Sequence, residues 1–285
     1  MNITAIVVTH NRAQLLEDVL RALLSQTSAL QSIVVVDNAS SPETAQVLQR
    51  FKSVYVLRLE KNIGGAGGFA AGIERAIMHG ADWMLLLDDD AIAQPNLVEC
   101  FRDVLPAALE QRVGALCSSV VELGHVALMH RRMFNPKTLR ESVIPRKLYY
   151  KVRMQVDIAS FVGFLLSAQA ARDVGLPNAS FFLAYDDTEY SLRLGRSGWF
   201  IWLVPSAVVD HLRSSNRRLR NSLYTTKHYF HLRNQLAVLR HYGTAPGWRL
   251  WLPIMLHGFI AAKDFRLSSL CTWLKALRDS RGMRL

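Results

Sequence analysis

The sequence is poor in cysteine and has no long hydrophobic run. Its 285 residues include three cysteines, Cys100, Cys117 and Cys271, which form no CxxC pair and no metal-ligand spacing. The cysteines are few and their number is odd, which argues against a disulfide framework. We therefore expect a reduced, cytoplasmic protein. The longest apolar stretch, around residues 250–262, is shorter than the ~20 residues that span a bilayer. The opening residues MNITAIVVTHNR also lack the basic start and apolar length of a signal peptide.

Acidic residues are scarce in the last quarter of the chain. Residues 211–285 hold 14 Lys and Arg but only Asp264 and Asp279, a balance of +12. Since the whole chain carries +11, residues 1–210 carry −1. This asymmetry predicts a C-terminal region that meets an anionic partner. It also leaves residues 1–210 without the basic surface that a nucleic-acid-binding module requires.

The first hundred residues alternate between two hydrophobic periods. Short apolar or β-branched segments at residues 3–9, 32–37, 54–59 and 83–88 are separated by segments with helical spacing. Strands that are apolar along their whole length are buried on both faces, as in a parallel sheet covered by helices. The pattern therefore predicts an α/β fold whose ligands bind beyond the carboxyl ends of the strands.

Polar residues follow each predicted strand. They are Thr9 and Arg12 after the first strand, Asp37 after the second, Asn62, Gly64 and Gly65 after the third, and Asp88, Asp89 and Asp90 after the fourth. Because the carboxyl ends of parallel strands meet at one edge of a sheet, these four exits outline a binding cleft.

The glycine-rich run GGAGGF after the third strand admits three interpretations. Gly65, Gly67 and Ala70 fit the GxGxxG/A fingerprint of a dinucleotide-binding oxidoreductase, but that fingerprint follows the first strand of its fold. A flexible turn is the second interpretation. In the third, which we favour, backbone N–H groups of a helix over residues 66–79 approach a diphosphate or sugar.

Three consecutive aspartates at the end of a buried strand need a compensating charge. Carboxylates beside a diphosphate suit a divalent cation, which cancels their repulsion and bridges them to phosphate oxygens. Alternatively, residues 88–90 cap a helix that begins near Pro95. A cap needs only one aspartate, so we expect a metal site.

Six segments occur in a particular order along about three quarters of the chain. They are VVTHNRAQLLEDVLRALLSQ, IVVVDNAS, NIGGAGGFAAGI, LLLDDDA, FFLAYDDTEYSLRLGRSGW and VVDHLRSS. Together they resemble the family 2 glycosyltransferases with the GT-A fold, most of all galactofuranosyltransferases and, less closely, rhamnosyltransferases of bacterial surface polysaccharide synthesis. The resemblance implies a Rossmann-like, mostly parallel sheet with flanking helices in residues 1–215 and a basic helical extension in residues 216–285.

The resemblance and the cleft together imply roles for individual residues. Those expected to contact a nucleotide-sugar donor are Thr9, Arg12, Asp37, Asn62, Gly64, Gly65, Asp88 and Asp89. Those expected to bind Mn²⁺ or Mg²⁺ are Asp88, Asp90 and His211. Asp187 matches the base that deprotonates the acceptor, with Asp186 and Glu189 as acceptor ligands. Asp186 and Glu189 also fit a capping box, so local structure could explain part of this cluster.

These roles describe an inverting, metal-dependent glycosyltransferase. By resemblance its donor is UDP-galactofuranose, or alternatively dTDP-rhamnose, and its acceptor is an oligosaccharide or a polyprenyl-diphosphate-linked sugar. Trp248, Trp251, Phe259 and Trp273 lie among arginines and lysines, which predicts amphipathic helices on the anionic inner face of the cell membrane. A solvated basic face is one alternative and a nucleic-acid partner is the other, although no nucleic acid is the expectation.

Overall fold

We describe the fold from a computed structural model of the chain, which covers residues 1–212 and 223–285. The predicted boundary between residues 215 and 216 lies outside the described residues. So do residues 213–215 of the VVDHLRSS segment, and the division into two domains stays a prediction.

The described residues form a mixed α/β structure. Its strands are β1 (Ile3–Thr9), β2 (Ser32–Asp37), β3 (Tyr55–Arg58), β4 (Trp83–Asp88), β5 (Ala91–Ala93), β6 (Val113–Glu122), β7 (His125–Val126), β8 (Arg131–Asn135), β9 (Arg140–Val143), β10 (Met154–Val156), β11 (Ile158–Ala159), β12 (Phe164–Ser167) and β13 (Phe200–His211). Its helices are α1 (Ala13–Leu24), α2 (Pro42–Gln49), α3 (Gly64–Met78), α4 (Leu97–Leu109), α5 (Ala168–Val174), α6 (Asp186–Arg196), α7 (Thr226–Tyr242), α8 (Trp251–Lys263) and α9 (Leu267–Asp279).

A central sheet has the strand order β10-β13-β6-β12-β4-β1-β2-β3, with β5 paired to β13 and β7 to β6. The four strands predicted from the alternating periods are parallel and adjacent, in the order β3-β2-β1-β4. Strand β12 runs antiparallel to both β4 and β6, while β13 runs parallel to β6. A smaller sheet has the order β11-β8-β9. The predicted mostly parallel sheet is confirmed, and its carboxyl edge is the edge on which the site is built.

Both faces of the central sheet are covered by helices. In β1, alternate residues enter two separate hydrophobic cores, with Ala5 and Val7 in one and Ile6 and Val8 in the other. Residues buried on both faces explain why the strand is apolar along its whole length.

Helix α3 begins at Gly64, two residues earlier than predicted, so most of the glycine-rich run is helical. The interpretation of this run as a flexible turn is therefore wrong. A Cβ atom on Gly68 would lie 2.5 Å from Val8 Cγ1, and one on Gly72 would lie 2.5 Å from Ile6 Cγ2. These two glycines let the helix pack closely on β1.

The last three helices form a small bundle. Leu232 and Leu236 of α7 pack with Ala276 of α9 in a separate core, against which Ile254 of α8 is partly buried. Among the described residues, we find no helix with the length and apolar character needed to cross a membrane.

Candidate active site

Strand pairing brings distant segments to the carboxyl edge of the central sheet. Strand β13 runs antiparallel to β5, so that His211 pairs with Ala91. The backbone N–H of Leu212 donates to the carbonyl of Asp90 at 2.8 Å. This pairing places a histidine beside aspartates that lie more than a hundred residues earlier in the chain.

Asp88, Asp90 and His211 form a group whose ligand atoms all lie within 4.8 Å of one another. The Nε2 atom of His211 is 3.3 Å from Asp90 Oδ1. Burial, and next the charge of Asp90, raise the pKa of Asp88 to about 7. Two carboxylates and an imidazole that are short of positive charge could hold a divalent cation.

The alternative role of the aspartates as a helix cap is wrong. Asp90 is followed directly by β5, and helix α4 begins only at Leu97, with Asn96 as its N-terminal cap residue. The aspartates therefore need a compensating partner other than a helix terminus.

Arg12 supplies part of that compensation. Its Nη1 atom lies 2.9 Å from Asp89 Oδ1 and 2.7 Å from Asp90 Oδ2. The hydroxyl of Thr9 donates to Asp89 Oδ2 at 2.8 Å. Asp89 is thus tied to the loop after β1 and buried, while the Arg12 side chain is 36% exposed. Thr9, Arg12 and Asp89 were all predicted to contact the nucleotide-sugar donor. Of the three, Arg12 is the one whose side chain is accessible.

Glu122 and His130 are site residues that the sequence analysis missed. Glu122 Oε1 lies 2.8 Å from His211 Nδ1 and 3.1 Å from His130 Nε2. His130 Nδ1 lies 2.7 Å from the hydroxyl of Ser160. The contact with Glu122 fixes the ring of His211 so that Nε2 is directed toward Asp90, which is how carboxylates orient metal-binding histidines.

The hydrogen bonds of His211 also set its charge. Burial lowers the pKa of His211, but its hydrogen bonds to Asp90 and Glu122 prevail and raise the pKa to about 9. The hydrogen bond from His130, the largest influence on Glu122, lowers the pKa of that carboxyl to about 2. A protonated His211 therefore compensates the acids, and a cation that binds there would replace its proton.

Asp37, which was predicted to contact the nucleotide sugar, is held by local contacts. Asp37 is buried at the end of β2, where Oδ1 accepts the backbone N–H of Ser40 at 2.8 Å. Arg58 Nε lies 3.7 Å from Asp37 Oδ2. This arginine was not predicted, and it places a positive charge beside a buried carboxyl group.

Asn38, which follows the second predicted strand, fixes the glycine-rich segment. Its Nδ2 donates to the carbonyl of Gly64 and its Oδ1 accepts from Ile63 N, both at 2.9 Å. Asn62 Oδ1 accepts the backbone N–H of Gly64 at 2.8 Å. Asn62 therefore shapes the start of α3, while a Cβ on Gly65 would meet nothing within 4 Å.

The acids that were predicted to act on the acceptor begin helix α6. The N-terminal cap residue is Tyr185, with φ of 64° and no side-chain cap, so the capping-box interpretation is wrong. Burial and the charge of Asp187 raise the pKa of Asp186 well above its usual range, and Asp88 adds to this effect. The start of α6 is therefore within electrostatic reach of the Asp88–Asp90–His211 group.

Glu189 does not fit the predicted contact with the acceptor. Its oxygens accept from Arg193 Nε at 3.0 Å and Arg193 Nη2 at 2.7 Å, and from the hydroxyl of Tyr242 at 2.8 Å. The residue is only 2% exposed. The bonds with Arg193 lie within α6, and the bond with Tyr242 joins α6 to α7. Because these partners occupy both oxygens, we withdraw Glu189 as an acceptor ligand.

The structure is that of a GT-A glycosyltransferase. It has a mostly parallel sheet, helices on both faces of that sheet, and a group of acids and a histidine at its carboxyl edge. Residues 4–174 match Glycosyl transferase family 2, and the chain belongs to this family. The oxidoreductase interpretation of the glycine-rich run is therefore wrong.

Known relatives agree with this family. Galactofuranosyltransferase GlfT1 of Mycolicibacterium smegmatis is 29% identical over 99% of this chain and 97% of its own. An N-acetylglucosaminyl-diphospho-decaprenol L-rhamnosyltransferase of Mycobacterium tuberculosis is 26% identical over 98% of this chain and 95% of its own. The structure of GalNAc-T7 with UDP, GalNAc and Mn²⁺ has a TM-score of 0.67 and 15% identity over 84% of this chain. This chain spans about half of that protein (48%), and the likeness shows the fold.

We predict that substitution by alanine destabilises the protein at Gly64 but not at the neighbouring Gly65. Gly64 has φ of +78°, and a Cβ atom there would lie 2.1 Å from the carbonyl oxygen of Phe182. Gly64→Ala should therefore lower the free energy of unfolding by more than about 1 kcal/mol. Gly65→Ala is the matched control, because open space surrounds its Cβ position and alanine favours a helix. Urea unfolding of both variants checks this, and equal stabilities would contradict the packing described.

Proposed function

We propose that this glycosyltransferase is an inverting, metal-dependent galactofuranosyltransferase that uses UDP-galactofuranose. The observation that carries the proposal is the Asp88–Asp90–His211 group within electrostatic reach of the acids that begin α6. The galactofuranose donor rests on the similarity to galactofuranosyltransferase GlfT1 along nearly the whole chain. The similar coverage of the decaprenol-linked rhamnosyltransferase keeps dTDP-rhamnose as the second candidate.

Asp88, Asp90 and His211 would hold the cation in this proposal. When bound, Mn²⁺ or Mg²⁺ supplies positive charge that stabilises the departing nucleoside diphosphate. Two carboxylates and an imidazole can bind either ion, and Mn²⁺ accepts an imidazole ligand more readily than Mg²⁺ does. Arg12 lies beside the same acids and adds a second positive charge at the donor. In this proposal Gly65 approaches the diphosphate through its backbone N–H, since the N–H groups of Gly64 and Ala66 already donate to Asn62 and Phe182.

Asp187 acts as the general base. Its Oδ1 accepts from Thr188 N at 2.6 Å and from Thr188 Oγ1 at 3.1 Å, which fixes the carboxylate on the first turn of α6. In the described part of the chain, Asp187 Oδ2 makes no hydrogen bond, so it can receive the acceptor proton. The acceptor oxygen then bonds to the anomeric carbon as the diphosphate leaves with its electron pair.

The acceptor is an oligosaccharide or a polyprenyl-diphosphate-linked sugar, in line with the similarity to the decaprenol-linked rhamnosyltransferase. Asp186, whose pKa is raised by its burial and by the charge of Asp187, would contact such an acceptor. Its position next to Asp187 supports a contact with the hydroxyl group that reacts.

We further propose that the C-terminal helices bind the anionic inner face of a membrane. One side of α8 exposes an apolar stripe of Trp251, Leu252, Met255, Leu256 and Phe259. An exposed apolar surface of this extent marks a docking site, and here it is bordered by cations. Lys263 Nζ, for example, lies 4.5 Å from the ring centroid of Phe259. Aromatic and basic groups side by side suit a lipid interface better than solvent. The cytoplasmic location rests on the three unpaired cysteines.

The metal site generates a prediction about binding of the donor. Asp90→Ala should weaken Mn²⁺-dependent UDP binding by at least about 100-fold, because it removes a proposed metal ligand. Asp210→Asn is the matched control, since that carboxylate accepts the amide of Gln94 and is not in the group. Calorimetric titration of UDP with and without Mn²⁺ measures the effect. Unchanged affinity in Asp90→Ala would exclude the assigned metal site.

The base generates a prediction about turnover. Asp187→Asn should reduce sugar transfer from UDP-galactofuranose by roughly 10² to 10⁴-fold, because the amide cannot accept a proton. Its affinity for UDP and Mn²⁺ should stay that of the original protein. Asp186→Asn should keep most of its turnover, since asparagine keeps the size of the side chain and its ability to form hydrogen bonds. The same assay tests the identity of the donor. Sugar transfer by the original protein should be measured with UDP-galactofuranose and with dTDP-rhamnose, and faster transfer from dTDP-rhamnose would reassign the sugar.

The α8 apolar stripe generates a prediction about lipid binding. The double variant Leu252→Asp, Phe259→Asp should lose binding to vesicles of equimolar phosphatidylcholine and phosphatidylglycerol, and high salt should release the original protein. The double variant Met78→Asp, Leu123→Asp is the control, because it places equal charge on exposed apolar residues elsewhere. Co-sedimentation measures binding. Equal binding of both double variants, or salt-sensitive binding to RNA in preference to vesicles, would refute the membrane role.

A further inference from the structure

The segment that precedes the proposed base has a strained backbone. Phe182, Ala184 and Tyr185 have φ angles of 61°, 67° and 64°. Residues with a Cβ atom rarely adopt this left-handed region, so three such residues within four positions persist only if surrounding contacts enforce them. Helix α6, with Asp186 and Asp187 in its first turn, begins directly after this segment.

Asn234 of α7 makes the contacts that enforce this conformation. Its Nδ2 atom lies 3.0 Å from the carbonyl oxygen of Phe181, 2.9 Å from that of Leu183 and 2.7 Å from that of Ala184. Asn234 is fully buried. Two N–H groups shared among three carbonyls hold the segment at three points.

The orientation of the Asn234 amide is itself fixed. Arg233 Nε donates to Asn234 Oδ1 at 2.8 Å, which directs Nδ2 toward the strained segment. Arg233 Nη2 donates to the carbonyls of Ser180 at 2.6 Å and Phe181 at 3.1 Å. The two neighbouring side chains therefore act on residues 180–184 together.

The same segment also contacts the donor side of the site. The carbonyl of Phe182 accepts from Ala66 N at 3.3 Å, and it occupies the space where a Cβ atom of Gly64 would lie. A displacement of residues 181–185 would therefore move the start of α6 relative to the start of α3. These are the elements that carry the proposed base and approach the proposed diphosphate.

We propose that Asn234 is a positioning residue, which sets the distance between Asp187 and the donor by holding residues 181–185 in their strained conformation. This inference rests on the proposed role of Asp187 as the base. Asn234 does not contact the reacting atoms, and it acts through the backbone carbonyls that it binds.

Asn234→Ala and Asn234→Asp test the inference. Both remove the amide donor, and the aspartate keeps the size of the side chain. Turnover should fall roughly 10²-fold, the cost of a displacement of about 1 Å at a reacting group. Binding of UDP and Mn²⁺ should fall far less than turnover, because the Asp88–Asp90–His211 group is held by Arg12 and Glu122 and not by this segment. Hydrogen exchange of the backbone amides in residues 181–188 should become faster.

Leu236→Ala is the matched control. Leu236 lies two residues further along α7, is equally buried and packs on α9 instead of the strained segment. This variant should lose thermal stability but keep turnover at temperatures well below its melting temperature. Undiminished turnover in Asn234→Ala, or an equal loss in Leu236→Ala, would overturn the inference. If the original protein transfers no sugar at all, the proposed function fails, and the exchange rates in residues 181–188 still report whether Asn234 holds the segment.

Discussion

The repulsion between carboxylates at the exit of β4 is the constraint on which the site depends. Asp88, Asp89 and Asp90 leave a buried strand together, and burial makes their mutual repulsion stronger than it would be in water. Arg12 and Thr9 hold Asp89, while His211 faces Asp90. Asp88, with its raised pKa, is the acid least compensated by the protein itself. Additional positive charge is therefore required beside Asp88.

The parallel part of the fold could be predicted because its signals are local. Each of the first four strands is a short apolar segment, and each is followed within a few residues by its polar exit. Strand β4 and Asp88–Asp90 needed no knowledge of distant contacts. The start of α3 was misplaced by two residues, since Gly64 with its positive φ looks like a turn residue in the sequence.

The supporting residues could not be predicted because their signals are not local. Glu122 ends one strand, His130 lies in a short 3-10 turn, and neither belongs to a recognisable motif. Only the pairing of β13 with β6 and β5 brings His211 into contact with Glu122 and beside Asp90. Glu189 shows the opposite failure. Its spacing suggested a ligand or a cap, but Arg193 and Tyr242 occupy its oxygens.

Helix α7 connects the catalytic acids to the C-terminal helices. Asn234 faces the segment before α6, whereas Leu232 and Leu236, each two residues away, lie near the opposite side of the helix and pack on α9. Helix α8, which exposes the apolar stripe, packs on the same bundle through Ile254. Helix α7 therefore contacts residues 181–185 through one side and the C-terminal bundle through the other. The C-terminal helices therefore support the segment that precedes the proposed base, whereas the proposed metal and donor sites lie at the polar exits of the sheet.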